Sequence, residues 1–230
     1  MKKIVSLLLA MILCISTFGL LTGCNGAPEE TEAPEDPIVV GGWTISQDGE
    51  EPALPAEAKE AFDKAAADLT DGTYRPIAYL GSQVVAGTNY AFLCTVSGRG
   101  LCVVKVYKDL EGNASVLETK DVSIADYTTD EQIAFPEAGM AGGWYVGEAT
   151  GAALPAEAQT AFDSAMTGLV GVSYTPVTCL GTQVVAGTNY AILCRATTVT
   201  AEPANALAVV VIYADLEGGA MITSICGFDF

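Results

Sequence analysis

Histidine is absent from this 230-residue chain. That absence removes Ser-His and Cys-His nucleophile pairs, histidine-based zinc sites and the commonest general base near neutral pH. No Cys-x-x-Cys spacing occurs either, so a thiolate zinc site is not expected, nor is any cofactor. Basic residues are scarce, 10 Lys and Arg against 28 Asp and Glu, for a formal charge of −18. Such a surface disfavours nucleic acid and offers no basic patch for phosphate. A carboxylate-pair hydrolase is the enzyme class left over. Yet the recurring acids Glu57/Glu157 and Asp63/Asp163 fall on helical stretches and read as solvated faces. A non-enzyme is expected.

What the chain does have is itself, twice. Gln-Val-Val-Ala-Gly-Thr-Asn-Tyr-Ala occurs at Gln83–Ala91 and again at Gln183–Ala191. Gly41-Gly42-Trp43 returns as Gly142-Gly143-Trp144, and Leu54-Pro55-Ala56-Glu57-Ala58 as Leu154 to Ala158. Tyr107-x-Asp109-Leu110-Glu111-Gly112 returns as Tyr213-x-Asp215-Leu216-Glu217-Gly218. The offset is 101, then 100, then 106, which marks a tandem duplication with one length change. Solenoid repeats are shorter, so each copy reads as a small domain.

The flanks point to export. Lys2 and Lys3 precede an apolar run from Ile4 to Leu21, followed by Leu21-Thr22-Gly23-Cys24. Small residues before a cysteine resemble the bacterial lipobox, which implies a signal peptide over residues 1–23 and a lipid anchor on Cys24. The other reading is a transmembrane anchor of roughly 18–20 residues, for which Ser6, Ser16, Thr17 and Gly19 are poor choices. An extracytoplasmic lipoprotein held on the bacterial cell membrane is the expectation. Residues 24–38 form an acidic, Pro-containing tether with no apolar periodicity.

Within each unit one helix precedes several strands. Ala58, Phe62, Ala65 and Leu69 share one helical face after Pro55; Ala158, Phe162, Ala165 and Leu169 repeat it. Val39–Ser46, Tyr74–Val85, Tyr90–Val96, Leu101–Tyr107 and Ser115–Ile124 read as strands from their β-branched and aromatic content. The expected fold is α+β: two tandem domains, 39–135 and 141–230, each one helix packed on an antiparallel sheet of about five strands. A linker at 136–140, within the Ala125–Ala141 stretch, is long enough to keep the two independent. Of the cysteines outside the signal and anchor, Cys94 and Cys102 lie symmetrically about Gly98, and Cys179 and Cys194 nearly so about Ala186–Gly187. Each pair is either a cross-strand disulfide or two buried thiols, and Cys226 is free in both cases.

If the strands pair in sequence order, three segments reach one end of the sheet. In the first unit they are Gly41-Gly42, Val84-Val85-Ala86-Gly87 and Leu110-Glu111-Gly112. In the second they are Gly142-Gly143, Val184-Val185-Ala186-Gly187 and Leu216-Glu217-Gly218. Hairpin turns normally use Asn, Asp, Gly or Pro, so Val-Val-Ala-Gly puts apolar side chains where water is expected. The extra residues of the second unit, around Thr197–Ala206, fall at the opposite end.

Gln-Val-Val-Ala-Gly resembles the Gln-x-Val-x-Gly signature of the cystatins, most closely their stefin branch. The likeness covers both units nearly end to end and in order: Gly-Gly, a helix opened by Pro, the signature, a strand that reads Lys105-Val106-Tyr107-Lys108 in the first unit, and a Leu-x-Gly turn. It implies two tandem cystatin-like domains that inhibit papain-like cysteine proteases reversibly. In that family the three segments form a wedge that plugs the active-site cleft. The implied protease-binding residues are Gly41, Gly42, Gln83, Val84, Val85, Ala86, Gly87, Leu110 and Gly112, with Gly142, Gly143, Gln183, Val184, Val185, Ala186, Gly187, Leu216 and Gly218 in the second copy. Glu111 and Glu217 depart from the pattern, because stefins usually carry Pro in the second turn. The alternative is a non-inhibitory surface binding or adhesion module on the same fold.

Overall fold

The computed structural model describes residues 41–46, 54–128, 142–147 and 154–230. The signal, the tether with Cys24, the 136–140 linker and the Val39-Val40 start of the first strand lie outside them.

Each repeat opens with a short strand and one helix. The first has β1 (Trp43–Ile45) and α1 (Ala56–Ala66); Pro55 stands at the N-cap, where its missing N–H costs nothing. Ala58, Ala61, Phe62 and Ala65 recur at helical spacing and are buried, while Glu57 and Lys64 suit the helix dipole at its two ends. Four strands follow: β2 (Tyr74–Val85), β3 (Gly87–Val96), β4 (Gly100–Lys108) and β5 (Ala114–Val122), then a 3-10 turn at Ile124–Tyr127. The second repeat supplies β6 (Trp144–Tyr145), α2 (Ala156–Ala165), β7 (Val172–Val185), β8 (Gly187–Thr198), β9 (Asn205–Ala214) and β10 (Ala220–Gly227).

Among the described residues the architecture is α+β, with two antiparallel five-stranded sheets and two helices. Both sheets are meanders in sequence order, β1-β2-β3-β4-β5 and β6-β7-β8-β9-β10. Two helical details differ from expectation. Leu69 lies beyond the end of α1, and α2 stops at Ala165 with Met166 as its C-cap. The Gly-rich run after Met166 cannot extend the helix, so Leu169 is 41% exposed instead of facing the core.

The inner strands are apolar on both faces. Tyr90, Phe92, Cys94, Cys102, Val104 and Val106 pack under α1, where the Phe62 and Phe92 rings meet edge to face at 5.0 Å. Alternate residues of the same strands, Ala91, Leu93, Leu101 and Val103, point the other way. Those back faces do not meet water. They form one cluster with Leu180, Ala191, Leu193, Leu207, Val209 and Val211 of the second sheet, closed by Trp144, Ile124 and Phe228. The layers run helix, sheet, sheet, helix.

The expectation of two independent domains is therefore corrected. Strands apolar on both faces need a cover on each, and the sister repeat supplies the second. The packing is reciprocal. Phe230, beyond the far end of β10, meets the Trp43 ring of β1 at 5.1 Å, while Ile124, just beyond β5, lies against Gly181 of β7. Lys120 Nζ donating to the Asp229 carbonyl (3.1 Å) and Ser224 Oγ donating to that of Tyr127 (3.0 Å) tie the repeats at the rim.

Candidate functional site

The three segments of each repeat do meet at one sheet end. Gly41 N donates to the Val84 carbonyl at 3.2 Å, and Gly142 N to that of Val184 at 2.9 Å. Beside the first hairpin, Val84, Val85 and Gly87 share an open depression with Lys108, Leu110, Glu111, Gly112 and Glu57. The glycine segment, the first turn and the second turn thus form one continuous edge.

Its surface is apolar at the tips. Val84 and Val85 are 38% and 41% exposed, Val184 and Val185 60% and 42%, and Leu110 and Leu216 85% each. Together they offer aliphatic area to water at two turns that no other described residue covers. Gly41 and Gly142 are exposed and have no atom within 4 Å of where a Cβ would sit, so their backbone is open to a close approach.

Each copy builds this edge with the same three devices. The first is a clamp. Gln83 Nε2 donates to the Gly41 carbonyl (3.0 Å), and Asn89 Nδ2 donates to Gln83 Oε1 (2.7 Å). Gln183, Gly142 and Asn189 repeat it at 3.0 and 2.6 Å. Gln183 is only 6% exposed. The glutamine side chain therefore points inward and holds the glycine segment against the hairpin, positioning the edge from within.

The second device is a tyrosine strut. The strands of the first hairpin are separated by Ala86 alone, since Val85 pairs with Gly87. Tyr107 Oη donates to the Ala86 carbonyl at 2.5 Å, and Tyr213 Oη to that of Ala186 at 2.5 Å. The tyrosine ring lies so close that a Cβ on Gly87 would stand 2.3 Å from the Lys108 carbonyl oxygen and 2.8 Å from the ring. With φ at 122° as well, only glycine fits.

The third is a carboxylate that shapes the second turn. Asp109 Oδ1 accepts from the amides of Glu111 (2.9 Å) and Asn113 (2.8 Å); Asp215 Oδ1 accepts from Glu217 and Gly219, both at 2.8 Å. The Asn113 side chain and these amides hold the Asp109 carboxyl below its ordinary range. The turn is locked, and Leu110 is left projecting. Asn89, Tyr107 and Asp109 were visible only as repeated letters. Their shared repetition beside the tips is the signal that could have singled them out.

The cysteines divide. Cys94 and Cys102 stand directly opposite each other in register and are buried beneath α1 as free thiols. Cys179 and Cys194 do not face each other: two bulges in β7 shift the register, pairing Cys179 with Ile192 and Cys194 with Pro176. Burial raises the thiol pKa of Cys94 and Cys194 far above the usual range and that of Cys179 to about 11, so all three are neutral at physiological pH.

No protein-family model matches the chain, and no curated protein sequence matches it. What the edge can do is therefore read from its own geometry and from the chemistry of its tips.

Proposed function

We propose that the chain is a tandem cystatin-like inhibitor that occludes the active-site cleft of papain-like cysteine proteases, once with each edge. One observation carries the reading. Three segments far apart in sequence converge at a single sheet end, in both copies, with apolar tips in water and open glycine backbone beside them. A narrow apolar wedge with locked turns suits a cleft: it excludes water on entry and loses little conformational freedom on binding. The absence of histidine agrees with a partner that supplies any reactive thiol itself. The lysines, apolar run and Leu21–Cys24 box of the sequence support a location outside the cytoplasm, with lipid on Cys24 as the anchor.

Titration of the mature protein against papain tests this. Inhibition of two papain equivalents per chain is expected. Val85→Asp and Val185→Asp each bury an unpaired carboxylate in the complex, so each should weaken its own edge by roughly 100-fold while the fold survives. No inhibition of papain or of any member of a broad papain-like panel would sink the proposal.

A second reading, a non-inhibitory binding module, draws on two observations. Glu111 and Glu217 put a carboxylate at each second turn, where desolvation is costly. In the second repeat alone, Val170 and Val199 are 88% and 69% exposed far from the edge. Absence of inhibition across the papain-like panel, with the Val85→Asp/Val185→Asp protein indistinguishable from the parent, would favour it.

A further inference from the structure

The two edges share one skeleton and differ in charge. At the first, Lys108 Nζ lies 2.6 Å from Glu57 Oε1, and that contact holds the ammonium above its ordinary pKa. Lys64 Nζ donates to the Gly112 carbonyl at 3.0 Å behind the second turn, its own charge balanced by Glu60 at 2.8 Å. At the second edge the same places hold Ala214 and Ser164. The registers prove the first equivalence, for Thr88 pairs with Lys108 and Thr188 with Ala214. Glu157 and Glu217 persist as exposed carboxylates, and among the described residues no ion pair reaches either of them. Arg195, the only basic residue after Lys120, is buried at the opposite end of its sheet, level with Leu207.

Resting on the protease-inhibitor reading, we infer that the two edges select different proteases by rim charge. The second edge takes a protease whose cleft is flanked by lysines and arginines. The first edge, with Glu57 neutralised by Lys108 and Glu111 as its remaining rim carboxylate, responds less to rim charge. The apolar tips supply the common contact, and the carboxylates beside them discriminate. Two uncompensated negative charges at the rim of a desolvating interface favour a cationic partner and disfavour an anionic one. Lys108 and Ala214 are the residues that set the difference.

Full-chain protein with one edge disabled isolates the other: Val85→Asp reports on the second edge and Val185→Asp on the first. The probe is papain, native and with its lysines succinylated, the modified enzyme first shown to turn over a neutral substrate. Succinylation is expected to weaken inhibition by the second edge about tenfold or more and by the first less than about threefold. Raising salt from low to high with native papain should reproduce that ranking. Ala214→Lys in the Val85→Asp background should bring the second edge's loss down to that of the first. Equal losses at both edges, or an Ala214→Lys variant as sensitive as its parent, would overturn the charge selection and leave the inhibitor reading standing. If neither edge inhibits unmodified papain, the inhibitor reading falls and this inference falls with it.

Discussion

The two ends of each sheet have fared differently in the two copies. At the wedge end every device is duplicated: the Gln–Asn–Gly clamp, the tyrosine strut and the aspartate-locked turn have the same partners at nearly the same distances. At the far end the strand pairing recurs but the connection that closes it does not. The first repeat closes β3 to β4 through a tight turn in which Arg99 grips Asp71 (2.6 Å) and Asp121 (2.7 Å). The second replaces it with a longer loop between Thr198 and Asn205, held by Thr198 and Thr200 hydroxyls. A strand end needs only to turn the chain, which many sequences do. A wedge must hold three segments in one relative position, and few sequences do that.

Glycine substitution should break this contrast most sharply. Gly187→Ala drives a Cβ to 2.3 Å from the Ala214 carbonyl and 2.8 Å from the Tyr213 ring. A loss of about 2–4 kcal/mol is expected in denaturant unfolding. Gly41→Ala meets no atom within 4 Å and should cost only its left-handed φ, roughly 1–2 kcal/mol. Equal costs would mean that the strut does not constrain the turn.

Removing the clamp comes next. Gln183→Ala leaves the Gly142 carbonyl and the Asn189 amide without their partner, for about 1–3 kcal/mol. Hydrogen exchange should show the Gly142 amide protected less, because the segment is freed from β7. Tyr107→Phe removes one hydroxyl and keeps the ring, so about 1 kcal/mol is expected, with the first edge weakened and the second unaffected. Arg99→Ala is the control at the far end. Its ion pairs are partly exposed, so the loss should stay within about 1 kcal/mol and inhibition by either edge should not change.

Much of this was legible from the letters alone. The strand Tyr74–Val85 has the bounds that its composition implied, and the pairing in sequence order that was supposed for the strand series is the one both sheets have. That order alone brought the three segments to one end. Three things were hidden. Runs such as Ala91–Val96 are apolar on both faces, which says that two covers exist but not that the second is the sister repeat. The bulges in β7 fall at Pro176 and Gly181, residue types that mark a bulge without fixing the register it produces, so Cys179 and Cys194 counted as near-opposite when they are not. The inward turn of Gln183 depends on Gly142, forty-one residues away, and no local pattern reports it.

The shared back-to-back core has a consequence for how the protein comes apart. With Leu93, Val103, Leu193 and Val209 in one cluster, neither repeat can unfold without stripping the other of its cover. Calorimetry should record one transition for both repeats, its calorimetric and van't Hoff enthalpies equal. Chains cut to a single repeat should bare an aliphatic sheet face and aggregate. For a molecule proposed to work among proteases, such cooperativity is protective. Proteolysis of a folded chain proceeds through partly opened states, and here the half-open state, with one wedge intact and the other exposed to cleavage, is scarcely populated.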